Sequence, residues 1–170
     1  HAINRQLVVD KLLKGDGVAV ELPYLPSSPF QNKSLLPITP YDPAKAKQLL
    51  QEAGWDAGRT IRFAVPSGNK VREQVADIIV ENLQSIGMNA QIQKYDFVTS
   101  MAKAKKGDYD IYIIGLTVYP ATPDVSRILQ TGEPLNLSGY DNPEMNALFL
   151  AGKSAVDPAK QLEIYYKIQE

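Results

Sequence analysis

Hydrophobic residues in the middle of the chain recur with two different periods. Alternation of apolar and polar residues over 60–65 and 89–95 predicts two strands, and an apolar run over 109–115 predicts a third. Helical spacing between them predicts one helix over about 70–86 and a shorter one that Thr99 caps. The order strand–helix–strand–helix–strand predicts an α/β fold with a mainly parallel sheet, right-handed crossovers and strand order 2-1-3.

The flanking regions carry mainly helical signals. Helices are predicted over 1–14 and 124–130, and from Pro43, Pro143 and Pro158 onward. No capping residue precedes the first helix and no closing glycine follows the last, so we expect the chain to be part of a longer protein. The third strand is apolar on both faces although this order places it at an edge, which predicts a neighbouring strand from sequence outside these residues.

One segment shows neither the strand period nor the helical period of hydrophobic residues. Residues 16–42 contain five prolines, and a stretch of this length without a period is unusual inside a compact domain. Because proline fixes φ and lacks an N–H donor, we expect this segment to be extended and rigid. Such a segment is typically functional or part of a larger interface.

Composition narrows the classes of protein. A chain of 170 residues can bury a core without a disulfide or a metal, and the absence of cysteine excludes disulfide scaffolds, zinc–cysteine sites and thiol nucleophiles. The net charge of −1 means that the chain lacks the excess of positive charge that binds nucleic acid, so we predict no nucleic-acid partner. No apolar run approaches the roughly 20 residues of a membrane helix.

The residues that could support catalysis are missing or badly placed. The only histidine is His1, so there is no internal base for a serine triad, and no phosphate-binding glycine loop follows the first strand. Asp108 and Asp110 stand where the third strand begins, and we interpret them as solvated turn acids rather than a metal pair. We therefore predict a protein that is not an enzyme, with no catalytic residue, metal site or cofactor.

Ligand contacts in open α/β sheets lie beyond the carboxyl ends of the strands. In this chain those places are the loops 67–69 and 116–124. Tyr119 is the strongest single candidate, because its ring can stack on a ligand while its hydroxyl forms a hydrogen bond. The predicted ligand-binding residues are Asn69, Leu116, Thr117, Val118 and Tyr119.

Several motifs, in this order, resemble one known family. They are AINRQLVVDKLLKG at the start, YDPAKAK with EAGW over 41–55, REQVA with IGMN over 72–89, GDYDI over 107–111, and GYDNPEM over 139–145. Together they are similar to the extracellular solute-binding proteins of family 5, the oligopeptide, dipeptide and nickel receptors of ABC importers. The resemblance covers essentially the whole chain.

The resemblance implies a fold, a function and partners. Residues 1–170 would be a single lobe, the C-terminal lobe of a two-lobed receptor with a type II periplasmic-binding-protein fold, with the proline-rich 16–42 segment inside it. The receptor would capture an oligopeptide or related solute by lobe closure and deliver it to the permease subunits of the importer. Its partners would be the solute, the permease and the N-terminal lobe. It would lie in a periplasm or, as a lipoprotein, on the extracellular face of the cytoplasmic membrane.

The sequence departs from the family pattern after the third strand. Peptide-binding members carry a Gly-Trp pair and then an aspartate that holds the α-amino group of the peptide. Here Gly115 matches, but Leu116 stands at the tryptophan place and Tyr119 at the aspartate place, while Asp124 is interpreted as a helix cap. An oligosaccharide, an opine, a modified peptide or a metal complex therefore stays open as the solute, as does a surface sensor module built on the same fold.

Overall fold

The computed structural model describes residues 1–117 and 125–170, and these form two compact units. The first unit comprises His1–Ala19 and Thr39–Gly115, and the second comprises Val20–Ile38 and Leu116–Glu170. Each unit therefore combines two separate stretches of the chain. Among the described residues, no helix has the length and apolar character needed to cross a bilayer.

The first unit is built on a three-stranded parallel sheet. Its strands are β1 (Thr60–Pro66), β2 (Asn89–Tyr95) and β3 (Ile111–Tyr112), in the order β2-β1-β3. β1 and β2 pair along their whole length, from Thr60 opposite Asn89 onward. β3 pairs with β1 only at Phe63 and Ala64. The α/β class, the parallel sheet and the predicted order 2-1-3 are confirmed.

The central strand carries the core of this unit. Phe63, Ala64 and Val65 are fully buried, because helices cover the sheet and β1 has a neighbour on each side. Apolar residues of the helix and the outer strands, including Ile79, Ile92 and Ile111, pack around Phe63 and Val65.

Capping residues define the helices of the first unit. These helices are α1 (Arg5–Leu7), which continues as a π-helical turn over Val8–Leu12, α2 (Pro43–Glu52), α3 (Lys70–Ser85) and α4 (Phe97–Lys105). Asp42 caps α2 by accepting a hydrogen bond from the backbone N–H of Lys45 at 2.9 Å, as its place before Pro43 predicts.

Three boundaries in the first unit differ from the sequence-based prediction. Asn4 caps the first helix, so helical structure starts at Arg5 and not at residue 1. Asp96, not Thr99, caps α4, because its carboxylate accepts the Thr99 N–H at 3.0 Å. The third strand is two residues long instead of seven, because the ladder of hydrogen bonds that defines a strand needs a partner and β1 pairs with it only briefly.

The second unit consists of helices packed on the proline-rich segment. Its elements are a 3₁₀ turn at Lys33–Leu35 and the helices α5 (Ser126–Leu129), α6 (Pro143–Ser154) and α7 (Pro158–Lys167). Its core joins Tyr24 to Val125, Phe149, Tyr165 and Ile168. Phe30 adds an edge-on aromatic contact to Tyr165, with ring centres 5.5 Å apart.

The proline-rich segment is thus part of a core rather than a free spacer. It bends repeatedly, with turn hydrogen bonds such as Ser28 N–H to Leu25 C=O at 2.9 Å, so the expectation of an extended segment is only partly correct. Its backbone is held by the side-chain amide of Gln169, which donates to the Phe30 carbonyl at 2.8 Å. Two aromatic side chains in this segment explain why a stretch without a period is ordered.

Helices α6 and α7 approach closely at Gly152. A Cβ atom on this glycine would lie 3.0 Å from the ring of Tyr165, which is closer than van der Waals contact allows. The missing side chain therefore lets the buried tyrosine ring lie against the backbone of α6.

Candidate functional site

The carboxyl end of β1 opens into a short exposed loop, Ser67–Asn69. Ser67 is fixed by its N–H, which donates to the Tyr95 carbonyl of β2 at 2.7 Å. Gly68 has φ of +95°, a conformation that favours glycine, and its N–H donates to a Glu73 carboxylate oxygen at 3.0 Å. The loop therefore has a defined backbone conformation at the sheet edge where α/β proteins bind ligands.

Asn69 lies in this loop as predicted and also has a structural role. Its side-chain oxygen accepts the backbone N–H of Arg72 at 3.0 Å and so caps α3. The residue as a whole is exposed. Asn69 thus lies at the expected edge, and ligand binding by it stays a prediction.

The other predicted site residues follow β3. Leu116 is partly buried and Thr117 is exposed, and both are grouped with the second unit. Val118 and Tyr119 lie outside the described residues, and so does Asp124. Their assignment to the ligand site therefore rests on the sequence.

Three exposed apolar residues at this edge were not predicted. Val71 lies in the first turn of α3 and is 48% exposed, while Phe97 and Val98 begin α4 and are 56% and 76% exposed. Both helices start shortly after the carboxyl end of a strand, so these side chains lie at the carboxyl edge of the sheet in the first unit. Phe97 follows the cap Asp96 directly, and this position was the available signal. Val71 gave no such signal, because its spacing of four residues from Val75 makes it part of the helical stripe of α3.

The same edge carries an ion pair that fixes the start of α3. Lys94 Nζ lies 2.9 Å from a Glu73 carboxylate oxygen. This hydrogen bond from Lys94, together with the Gly68 N–H, holds the pKa of Glu73 below its ordinary value. Glu73 is therefore an ionised structural group rather than a proton donor.

A network of five charged side chains lies at the opposite, amino end of the sheet. Arg62 reaches Asp110 through Nε at 3.0 Å and Asp108 through Nη1 at 2.6 Å. Arg59 adds a contact to Asp110 at 3.2 Å, and Lys103 forms an ion pair with Asp108. The interpretation of Asp108 and Asp110 as solvated turn acids is partly correct. Asp108 is 44% exposed, but Asp110 is only 18% exposed, and both carboxylates have cationic partners.

These contacts fix the charge states of the two aspartates. The hydrogen bond from Lys103 lowers the pKa of Asp108, and the backbone N–H of Arg62 lowers the pKa of Asp110. Neither group is suited to exchange protons near neutral pH. Among the residues that the structure describes, no group of three His, Cys, Asp or Glu side chains could hold a metal ion.

Acid should therefore loosen the first unit. A carboxyl group whose pKa is lower in the folded than in the unfolded protein stabilises the fold at pH values above its unfolded pKa of about 4. This stabilisation is lost as the pH falls through the pKa of the group in the folded protein. We expect the melting temperature of the full-length protein to fall between pH 5 and pH 3 in calorimetry. Replacing Asp108 and Asp110 together by asparagine should flatten that dependence; an unchanged slope would contradict the role of the pair.

Each unit has a cavity away from this edge. The second unit has a cleft of about 580 Å³ between the proline-rich segment and Tyr166, and two of its polar side chains are already bonded: Gln31 donates to the Tyr24 carbonyl and Asn32 accepts from Ser34. The first unit has a cavity of about 240 Å³ beside Trp55, next to Gly87 at the far end of α3. The carboxyl edge of the sheet is therefore the better candidate for ligand contact.

Comparisons with known proteins agree with this fold. The family model described as bacterial extracellular solute-binding proteins, family 5 middle, matches residues 1–134. The oligopeptide-binding protein AppA of Bacillus subtilis is 32% identical over 99% of this chain, and heme-binding protein A of Haemophilus influenzae is 24% identical over 99%. This chain spans about a third of each relative, 35% and 32% respectively.

Solved structures of the same family have the same fold. The structure of Bacillus subtilis AppA in complex with a nonapeptide superposes with a TM-score of 0.84 at 27% identity, covering 99% of this chain and 37% of that one. The family model matches well over half of the chain. The chain belongs to the bacterial extracellular solute-binding proteins of family 5.

Proposed function

We propose that this chain is the C-terminal lobe of the substrate-binding component of an ABC importer, and that the full protein captures an oligopeptide. The observation that carries the proposal is the 32% identity with an oligopeptide-binding relative over 99% of the chain. The exposed apolar residues at the carboxyl edge of the sheet support it, because a peptide offers apolar side chains that such residues can cover.

The proposed mechanism is capture without chemistry. The ligand would be enclosed between this lobe and an N-terminal lobe, and the closed form would dock on the permease subunits. Closure shifts a population only through contacts that differ between the open and closed states, so the exposed edge residues are the groups expected to gain contacts. In this proposal the protein is not an enzyme and acts in a periplasm or as a lipoprotein outside the cytoplasmic membrane.

The direct test identifies the solute. The full-length protein is purified under native conditions, denatured, and the released small molecules are identified by mass spectrometry. A set of short peptides is the expected result. A uniform non-peptide solute would overturn the peptide assignment while leaving the family intact.

A metal complex is the second candidate solute. The observation in its favour is the relative whose name is heme-binding protein A, which aligns with 99% of this chain. The same experiment separates the two proposals, because a metal complex would appear in the absorption spectrum and in elemental analysis of the released material.

Tyr119 is the loop residue on which the sequence-based site depends. We expect Tyr119→Ala in the full-length protein to weaken peptide binding about tenfold, because a stacking aromatic ring is worth about 1 kcal/mol or more. Isothermal titration calorimetry measures the affinity, and the melting temperature should stay within about 1 °C of the wild type. Tyr41→Ala is the control, because it removes a tyrosine ring that is 45% exposed and lies outside the predicted site. Equal affinity of the Tyr119 variant and the wild type would refute the assignment.

A further inference from the structure

The cleft of the second unit contains two nearly buried amide side chains that are each bonded at one end only. Gln31 and Asn32 line this cleft of about 580 Å³ and are 4% and 5% exposed. Gln31 donates through Nε2 to the Tyr24 carbonyl at 3.0 Å. Asn32 accepts through Oδ1 from the backbone N–H and the hydroxyl of Ser34, at 3.3 and 2.6 Å. These bonds fix the orientation of each amide group, because only its nitrogen can donate and only its oxygen can accept.

The other polar atom of each amide has no partner within residues 1–117 and 125–170. No group in these ranges donates to Gln31 Oε1 or accepts from Asn32 Nδ2. Neither atom is sealed inside the protein, since the fully buried polar side-chain atoms without a partner in the described part of the chain are Trp55 Nε1 and Gln130 Oε1. An acceptor and a donor on neighbouring residues are therefore available to a molecule in the cleft, which would satisfy two amide groups that are costly to leave half-bonded.

The backbone that carries these two residues is held in place by Gln169, just beyond α7. The side-chain oxygen of Gln169 accepts the Asn32 N–H at 3.0 Å. Its side-chain nitrogen donates to the carbonyls of Phe30 and Tyr165, at 2.8 and 2.7 Å. Tyr165 is buried in the core of the second unit, so this contact ties the wall of the cleft to that core. The fold thus positions the two amide groups before a ligand binds, which lowers the entropic cost of binding.

The residues that line the cleft are mostly polar and have no net charge. Lys33 and Glu170 carry opposite charges, and the remaining lining residues apart from Pro29 and Tyr166 are polar and uncharged. This lining favours a neutral ligand with many hydroxyl groups, because each hydroxyl can both donate and accept a hydrogen bond. A peptide fits less well, because its side chains are recognised in pockets of their own.

We propose that this cleft binds a neutral sugar, at a site separate from the carboxyl edge of the sheet. One hydroxyl of the sugar donates to Gln31 Oε1, and a neighbouring hydroxyl accepts from Asn32 Nδ2. The ring of Tyr166 covers one face of the sugar. All the lining residues belong to the second unit, so the site does not depend on the proposed capture of an oligopeptide.

The test measures the binding of three disaccharides to the full-length protein. Maltose, cellobiose and trehalose are titrated separately, and saturation-transfer difference NMR gives the affinity of each. Each titration is done on protein that keeps the solute with which it was purified and on protein stripped of that solute. We expect at least one disaccharide to bind with the same affinity in both preparations, because the cleft is not the site of the transported solute.

Two variants connect this binding to the cleft. Gln31→Met removes the free acceptor and Tyr166→Leu removes the aromatic ring, and each should weaken binding about tenfold. Gln31→Met also loses the bond to the Tyr24 carbonyl, so its melting temperature is compared with that of the wild type. Tyr166→Leu is the safer variant, because the Tyr166 hydroxyl forms only a long contact of 3.5 Å with a carbonyl among the described residues. Tyr140→Leu is the matched control, since this tyrosine belongs to the same unit, is 37% exposed and does not line the cleft.

The results also separate this site from the proposed function. Binding of none of the three disaccharides, or an undiminished affinity in Tyr166→Leu, would overturn the sugar site and leave peptide capture in place. Binding that appears only after the purified solute has been removed would overturn the sugar site as well. It would place the sugar at the site of the transported solute and count against peptide capture.

Discussion

Replacing Phe63 by alanine is expected to destabilise the first unit by about 3–5 kcal/mol, which is the usual cost of truncating a buried phenylalanine. Phe63 has no exposed surface and lies in the middle of β1, where it packs with Val65 and Ala76. Its removal leaves a cavity between the sheet and α3 that neighbouring side chains cannot fill without moving the strands.

Hydrogen exchange of the full-length protein measures this effect locally. Protection factors of the β1 and β2 amides should fall by about two to three orders of magnitude, since exchange from core strands follows the free energy of opening. Phe97→Ala is the matched control, because it removes the same side chain from a position that is 56% exposed. Similar losses of protection in both variants would contradict the placement of Phe63 in the core.

Replacing Asp110 by alanine is expected to cost about 2–3 kcal/mol. One carboxylate oxygen accepts both the backbone N–H of Arg62 at 2.8 Å and its Nε at 3.0 Å, and the other lies 3.2 Å from Arg59. The side chain is only 18% exposed, so water replaces these contacts poorly. The variant leaves a backbone donor of β1 unmatched next to the start of β3.

Asp108→Ala is the matched comparison. Asp108 is 44% exposed and contacts the side chains of Arg62 and Lys103. Its loss should be clearly smaller, because solvent screens an exposed ion pair and no backbone contact is broken. Local hydrogen exchange at β1 gives both values, and a larger effect for Asp108 than for Asp110 would refute the ranking.

The sheet could be predicted because its signals are local. Alternating side chains gave β2 its boundaries, and β1 extends only one residue past the predicted 60–65. The boundaries of β3 could not be predicted in this way, because its apolar composition reports burial whereas strand length depends on a pairing partner. The cap of α4 was misplaced because Asp96 and Thr99 are both suitable capping residues three positions apart.

Contacts between distant residues explain what the sequence did not reveal. Arg62 and Asp110 are 48 residues apart, so no spacing rule connects them before the parallel register is known. Arg72 and Gly115 are likewise far apart in the chain, yet Arg72 Nη2 lies 2.6 Å from the position that a Cβ atom on Gly115 would occupy. The order of the strands along the chain is enough to predict the carboxyl edge of the sheet as a ligand site, whereas the fold is needed to show which side chains meet there.

The interleaving of the two units has a consequence for biosynthesis. During synthesis, the first unit is complete once Gly115 has been added. The aromatic residues of Val20–Ile38 are covered only later, after α6 and α7 have been synthesised. The first unit can therefore fold while Val20–Ile38 is still an unfolded loop, with both of its ends joined to that unit. Its prolines protect the nascent chain during that interval, because they cannot donate to the β-pairing that leads to aggregation.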